Sequence, residues 1–156
     1  VEEFENLIIF RTFSKVFGLA GLRIGCAIAN LEFARVMDEK FQMPYSVSLV
    51  AVKAALKILE RLEIIREAIE RVKQERERLI ERLNRINGVH AFDSKTNFVL
   101  FQVDEPSDLI YKRLLEKGII IRNIGRVLSY ENCLRVTVAP PSIMDRFLIS
   151  LQEVLS

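Results

Sequence analysis

The chain has 156 residues, half of them hydrophobic, and its 23 Lys and Arg nearly balance 21 Asp and Glu. That length and apolar content suffice for one ordinary core, and the near-even charge, spread along helical faces without a basic block, gives no footing for nucleic acid. Two cysteines and one histidine leave no metal cluster to expect, no apolar run reaches the about 18 residues of a membrane span, and the start lacks a basic leader pattern, so we expect a soluble cytoplasmic protein with Cys26 and Cys133 buried and reduced.

In chain order, 7–10 and 22–29 read as short strands separated by a glycine-rich return, which predicts a hairpin with Lys15 at a strand end. Residues 32–41 predict a helix, and Pro44 breaks the chain before another over 46–62. From 63 to 87 the apolar residues Ile65, Ile69, Val72, Leu79, Leu83 and Ile86 recur every three or four positions. That spacing predicts one long amphipathic helix of roughly 36 Å, stopped by Asn87-Gly88 and suited to join two domains. Arg76 falls on its apolar seam, which argues against a coiled coil.

Beyond it, 89–92, 97–103, 118–122 and 134–138 predict strands, interleaved with helices over 107–117 and 142–155. Ser142 with Asp145 three residues on gives an approximate capping pattern for the last helix. The second portion therefore reads as an α+β arrangement of helices on a small sheet. His90, in a short strand, is expected at the surface.

The chemistry concentrates in Arg11-Thr12-Phe13-Ser14-Lys15-Val16-Phe17-Gly18-Leu19-Ala20-Gly21-Leu22-Arg23-Ile24-Gly25. A lysine amine condenses with an aldehyde cofactor. Thr12, Ser14 and Arg23 bring hydroxyl and guanidinium donors suited to a phosphate. One segment thus carries both a nucleophile and an anion cradle.

This motif resembles the lysine motif of the fold-type I aminotransferases, and among them the histidinol-phosphate aminotransferase family. The resemblance continues through Asn97-Phe98, through Gly118-Ile119-Ile120-Ile121-Arg122, and through Cys133-Leu134-Arg135-Val136-Thr137-Val138, then Asp145-Arg146-Phe147. It implies an α/β to α+β fold: 1–62 as the end of the large domain that binds pyridoxal 5′-phosphate, and 63–156 as a connecting helix and the small C-terminal α+β domain. It implies Lys15 as the Schiff-base lysine, Thr12, Ser14 and Arg23 as phosphate ligands of the cofactor, Arg135 as the grip on a substrate α-carboxylate, and Arg122 as a second arginine at the phosphate end of the substrate. The implied reaction is amino exchange between histidinol phosphate and 2-oxoglutarate, in a homodimer, with small molecules as the only other partners.

The family carries further cofactor contacts upstream of the lysine, and only fourteen residues precede Lys15 here. We therefore expect a fragment with weak or absent cofactor binding by itself, and with apolar surface that promotes self-association. Three alternatives stand beside the main reading: a threonine-phosphate decarboxylase, an aromatic aminotransferase, and a non-catalytic assembly domain. Arg135 also has a plain reading, since alternation along its strand could simply turn it to water. Asn97 is expected to serve the backbone.

Overall fold

The structure, a computed structural model, describes residues 1 and 3–156. The chain divides into two compact units, 1–67 and 68–156.

In the first unit, β1 (Ile9–Thr12) and β2 (Gly25–Ile28) form an antiparallel hairpin in which Ile9 lies opposite Ile28 and Thr12 opposite Gly25. The strands start later than the sequence predicts, at 9 and 25, and Leu22, expected to open the second strand, instead closes a 3-10 turn over Ala20–Leu22. Asn30 opens α1 (Leu31–Val36) by accepting from the Phe33 N–H at 2.8 Å, and the helix continues as one π-type turn over Met37–Phe41. Ser48 caps α2 (Leu49–Leu59) in the same way, accepting from Ala51 N–H at 3.1 Å.

Among the described residues of this unit, only Ala51, Ala55 and Ile65 are buried apolar side chains, while Phe4, Phe10, Leu31, Phe41, Met43 and Val50 stand exposed. Cys26 is exposed too, which corrects the expectation of two buried thiols. It sits in a two-stranded ladder whose β2 residues are all exposed, so alternation alone gives it no interior to face.

α3 (Leu62–Leu83) runs from the first unit into the second. It ends four residues before the predicted stop. Arg85 and Ile86 N–H groups tighten onto Arg82 and Leu83 carbonyls, and the Asn84 side chain turns away to accept from Ala91 N–H at 2.8 Å. Arg76 on the seam is buried and donates to the Thr96 carbonyl at 3.1 Å, so the interrupting charge is tied to the loop before β4.

The second unit has a four-stranded antiparallel sheet in the order β3 (Val89–Ala91), β4 (Phe98–Val103), β6 (Tyr130–Thr137), β5 (Arg122–Val127). Because β4 and β5 are each antiparallel to β6, they run parallel to one another, and α4 (Ser107–Glu116) makes the crossover between them. Val99, Phe101 and Val103 alternate inward from β4 and meet Leu134 and Val136 of β6. Leu79 and Leu83 of α3, Ile110 and Leu114 of α4, and a stripe of α5 (Pro141–Leu155) complete the core. That stripe, Met144, Phe147, Leu148, Leu151 and Val154, has helical spacing. Each such fully buried side chain contributes about 1.5–3 kcal/mol of burial.

Two sequence expectations fail here. The 118–122 strand is absent except for Arg122, because Gly118, at φ +72°, ends α4: its N–H bonds the Leu115 carbonyl and the Ile119 N–H bonds that of Leu114, both at 2.9 Å. The Ser142–Asp145 cap also fails. Pro141 opens α5 without a side-chain cap, and Asp145 instead accepts from Arg78 at 2.8 Å and from Arg82. No helix among the described residues is long and apolar enough to cross a membrane.

Candidate active site

Thr12 closes β1, and the loop that follows is folded by its own backbone. Phe13 N–H reaches the Ile24 carbonyl at 3.1 Å, which extends the ladder by one step, and Leu19 N–H returns to the Phe13 carbonyl at 3.0 Å. Lys15 begins a tight turn closed by Gly18 N–H on its carbonyl at 3.1 Å, and Phe13 stacks on Phe17 with ring centres 4.6 Å apart. Lys15 itself is exposed.

Ser14 N–H donates to Thr12 Oγ1 at 3.1 Å, so the two hydroxyl residues share one turn and the Thr12 O–H remains a donor. Arg23 holds a left-handed backbone, φ 51° and ψ 44°, with its guanidinium on the Ala20 carbonyl at 3.1 Å. Gly25 is required by space: a Cβ there would lie 2.7 Å from the Arg11 carbonyl oxygen. Residues 6–31 contain Arg11, Lys15 and Arg23 and no carboxylate. The loop is therefore positively charged throughout, as an anion site needs.

In the second unit Arg122 and Arg135 are direct register partners on β5 and β6. Arg135 does not simply point to water. It is half-buried, its guanidinium carbon sits 4.7 Å from the centre of the Phe98 ring, and both arginines line one cavity of about 530 Å3. Neither is ion-paired to a carboxylate among the described residues. The structure thus gathers Thr12, Ser14, Lys15 and Arg23 on one loop and Arg122 with Arg135 in one cavity.

Three further residues stack on Arg135 or line its cavity, and the resembling blocks contain them without giving them a role. Phe98 lies two places from Leu100, the cross-strand partner of Arg135, so only the register reveals its stacking role. Thr137 follows Arg135 at the same-face spacing of two, a signal that was available. Arg146 lines the cavity from α5, and nothing in a helical pattern marks a surface arginine as different from its neighbours.

Residues 1–150 match the aminotransferase class I and II family. The chain belongs to that family. Among similar aminotransferases, the histidinol-phosphate aminotransferase of Caldanaerobacter subterraneus subsp. tengcongensis is 38% identical over all 156 residues of this chain, which cover 44% of that protein. That of Thermoanaerobacter sp. is 41% identical over 155 residues, 99% of this chain and 43% of its own length. The chain spans less than half the length of these relatives.

The solved aminotransferases tell the same story of fold. The histidinol-phosphate aminotransferase from Clostridium acetobutylicum superposes with a TM-score of 0.87 at 28% identity, over 98% of this chain and 47% of that one. The enzyme from Sinorhizobium meliloti, in complex with pyridoxal-5′-phosphate, gives 0.84 at 32% identity, over 97% and 41%. The mixed α/β architecture is that of part of a fold-type I aminotransferase.

Proposed function

We propose that this chain is the lysine-bearing part of a pyridoxal-phosphate-dependent aminotransferase that exchanges an amino group between histidinol phosphate and 2-oxoglutarate, a step of histidine biosynthesis. The observation that carries the reading is the 38% identity to a histidinol-phosphate aminotransferase across the whole of this chain.

The residues present fit the cofactor at its aldehyde and phosphate ends. Lys15 offers an exposed amine, and the loop around it holds cations and hydroxyls without a carboxylate to compete. When bound, pyridoxal phosphate supplies the electron sink that makes the substrate α-proton acidic. Lys15 would hold the cofactor covalently and, once freed by an incoming amine, its Nζ would take the proton from the substrate α-carbon. Thr12, Ser14 and Arg23 would fix the cofactor phosphate and so orient the ring. Arg135 would grip the carboxylate of the oxo acid, and Arg122 would serve the phosphate end of the amino alcohol phosphate.

The exposed apolar side chains of the first unit support an enzyme assembled as a homodimer in which they are covered. Borohydride reduction of the full-length protein with the cofactor, followed by peptide mapping, tests the reading: label on Lys15 and glutamate formed from histidinol phosphate and 2-oxoglutarate are expected. An unlabelled Lys15 would overturn it.

A second reading has its own support. The L-threonine-O-3-phosphate decarboxylase from Porphyromonas gingivalis matches with a TM-score of 0.85 at 28% identity, over 97% of this chain. Carbon dioxide released from threonine phosphate, with no glutamate formed, would favour it.

A further inference from the structure

Arg76 is a buried charge on the apolar seam of α3, 6% exposed, and its Nε has no hydrogen-bond partner among the described residues. The neighbouring Glu75 is answered by Arg78 at 2.9 and 2.6 Å, whereas the hydrogen bond recorded for Arg76 runs from Nη1 to the Thr96 carbonyl at 3.1 Å. A buried ion is expensive to desolvate, and an apolar side chain of similar volume often serves a core as well or better. Stability alone therefore gives no reason for an arginine here. What the arginine holds is the loop over residues 93–97.

That loop grips Phe98, the first residue of β4, at both its backbone groups. Thr96 Oγ1 accepts from the Phe98 N–H at 3.3 Å and donates to the Phe98 carbonyl at 3.1 Å, Ser94 Oγ donates to the same carbonyl at 2.7 Å, and the Thr96 N–H closes on Ser94 Oγ at 3.2 Å. The Asn97 carbonyl accepts from the Val138 N–H at 2.9 Å, which ties the loop to the chain just past β6. Val99 and Phe101 face the helix-covered core, so alternation turns Phe98 to the opposite face, where its ring centre lies 4.7 Å from the Arg135 guanidinium carbon. Arg76 pulls from the core side of the sheet, the ring lies on the other side, and the backbone of 96–98 carries the restraint between them.

We infer that Arg76 is a positioning residue for Arg135: by anchoring the Thr96 carbonyl it fixes the backbone of Phe98, and the Phe98 ring in turn holds the Arg135 guanidinium in the place where a carboxylate meets it. A guanidinium on a flexible stem loses rotamer freedom when it binds an anion, and one already stacked on a fixed ring has lost that freedom beforehand. The inference rests on the proposed role of Arg135 as the carboxylate ligand. The plain competing account is that Arg76 only fastens the loop to α3 for the sake of the fold.

Calorimetric titration of the full-length holoenzyme with glutarate, a dicarboxylate that stands in for the oxo acid, tests this alongside thermal unfolding. Arg76→Met should melt at or above the parent's temperature and weaken glutarate about threefold, the order of one cation–π contact. Phe98→Leu should weaken it equally, and the double variant should bind no more weakly than either single one, because both changes remove the same support. Thr96→Val, at an exposed position, should show the loss with Arg76 in place. Unchanged glutarate affinity in Arg76→Met or in Thr96→Val overturns the proposal, whatever the melting temperature does, and so does a double variant whose two losses multiply. Arg135→Gln separates the two levels of reading. If it leaves glutarate binding unaffected, the carboxylate role of Arg135 falls and this inference with it. If it abolishes binding while Arg76→Met and Thr96→Val change nothing, only the Arg76 assignment falls.

Discussion

Arg122 and Arg135 stand directly opposite one another on β5 and β6, two guanidinium groups at one rung of the ladder with no carboxylate among the described residues paired to either. Like charges so placed repel, by on the order of 0.5 kcal/mol at low salt. A bound anion would turn that repulsion into two attractions. Arg122→Gln should therefore raise the unfolding free energy slightly in anion-free buffer and forfeit part of the stabilisation that added phosphate gives. Urea unfolding with and without phosphate measures both, and a variant less stable than the parent in anion-free buffer contradicts the account.

Gly25 links the sequence motif to the lysine loop. With a Cβ 2.7 Å from the Arg11 carbonyl oxygen, Gly25→Ala must push β1 and β2 apart, and the obstacle is backbone that cannot rotate away. A cost of about 1–3 kcal/mol is expected. Gly21→Ala meets nothing within 4 Å and should be tolerated in this chain. Thermal unfolding of the two variants side by side checks the contrast, and equal midpoints would remove the steric argument.

What was legible in the sequence, and what was not, follows from where the information lies. α5 could be read because its buried positions repeat at helical spacing, and the lysine loop because its chemistry is contiguous. Residues 118–122 read as a strand since three consecutive isoleucines look like a strand in any register, whereas Gly118 acts as a helix stop only through the end of α4. The Arg122–Arg135 pairing joins residues thirteen positions apart through two bulged steps, and no local pattern encodes that register. Asp145 reads as a local cap but is a tertiary ion-pair partner, because its guanidinium donors lie more than sixty residues upstream. Cys26 reads as buried from its apolar neighbours, yet Ala27 and Ile28 beside it are themselves exposed.

The apolar exposure in the first unit has a consequence in solution. Phe10, Phe41 and Met43 are each at least 69% exposed, and Tyr45 is fully so. A surface of this kind associates with whatever apolar partner is at hand. The 156-residue chain should self-associate as concentration rises, and full-length protein should do so far less beyond its native assembly. Light scattering that shows a clean monomer of the short chain at high concentration would refute this.

Asp145 gives the last prediction, and its sign can be worked out. The Arg78 hydrogen bond, and after it the Arg82 bond and both charges, hold the Asp145 carboxyl below the usual carboxylate range, while Arg78, shared with Glu75, is pushed further up. A folded-state value below the unfolded one means that the pairing stabilises the protein above the ordinary carboxylate value and is lost as pH falls through that value toward the depressed one. The window thus lies below about pH 4. Asp145→Asn should flatten this acid limb in urea unfolding followed from neutral pH downward. It should leave the fold intact, because Glu75 still receives Arg78 through Nε and Nη2 at 2.9 and 2.6 Å. The same variant loosens the link between α3 and the start of α5, where Ser142 and Ile143 line the arginine cavity. Phosphate affinity should fall modestly at neutral pH with Arg122 and Arg135 both in place, and an acid limb as steep as the parent's would show that Asp145 is not the group that titrates.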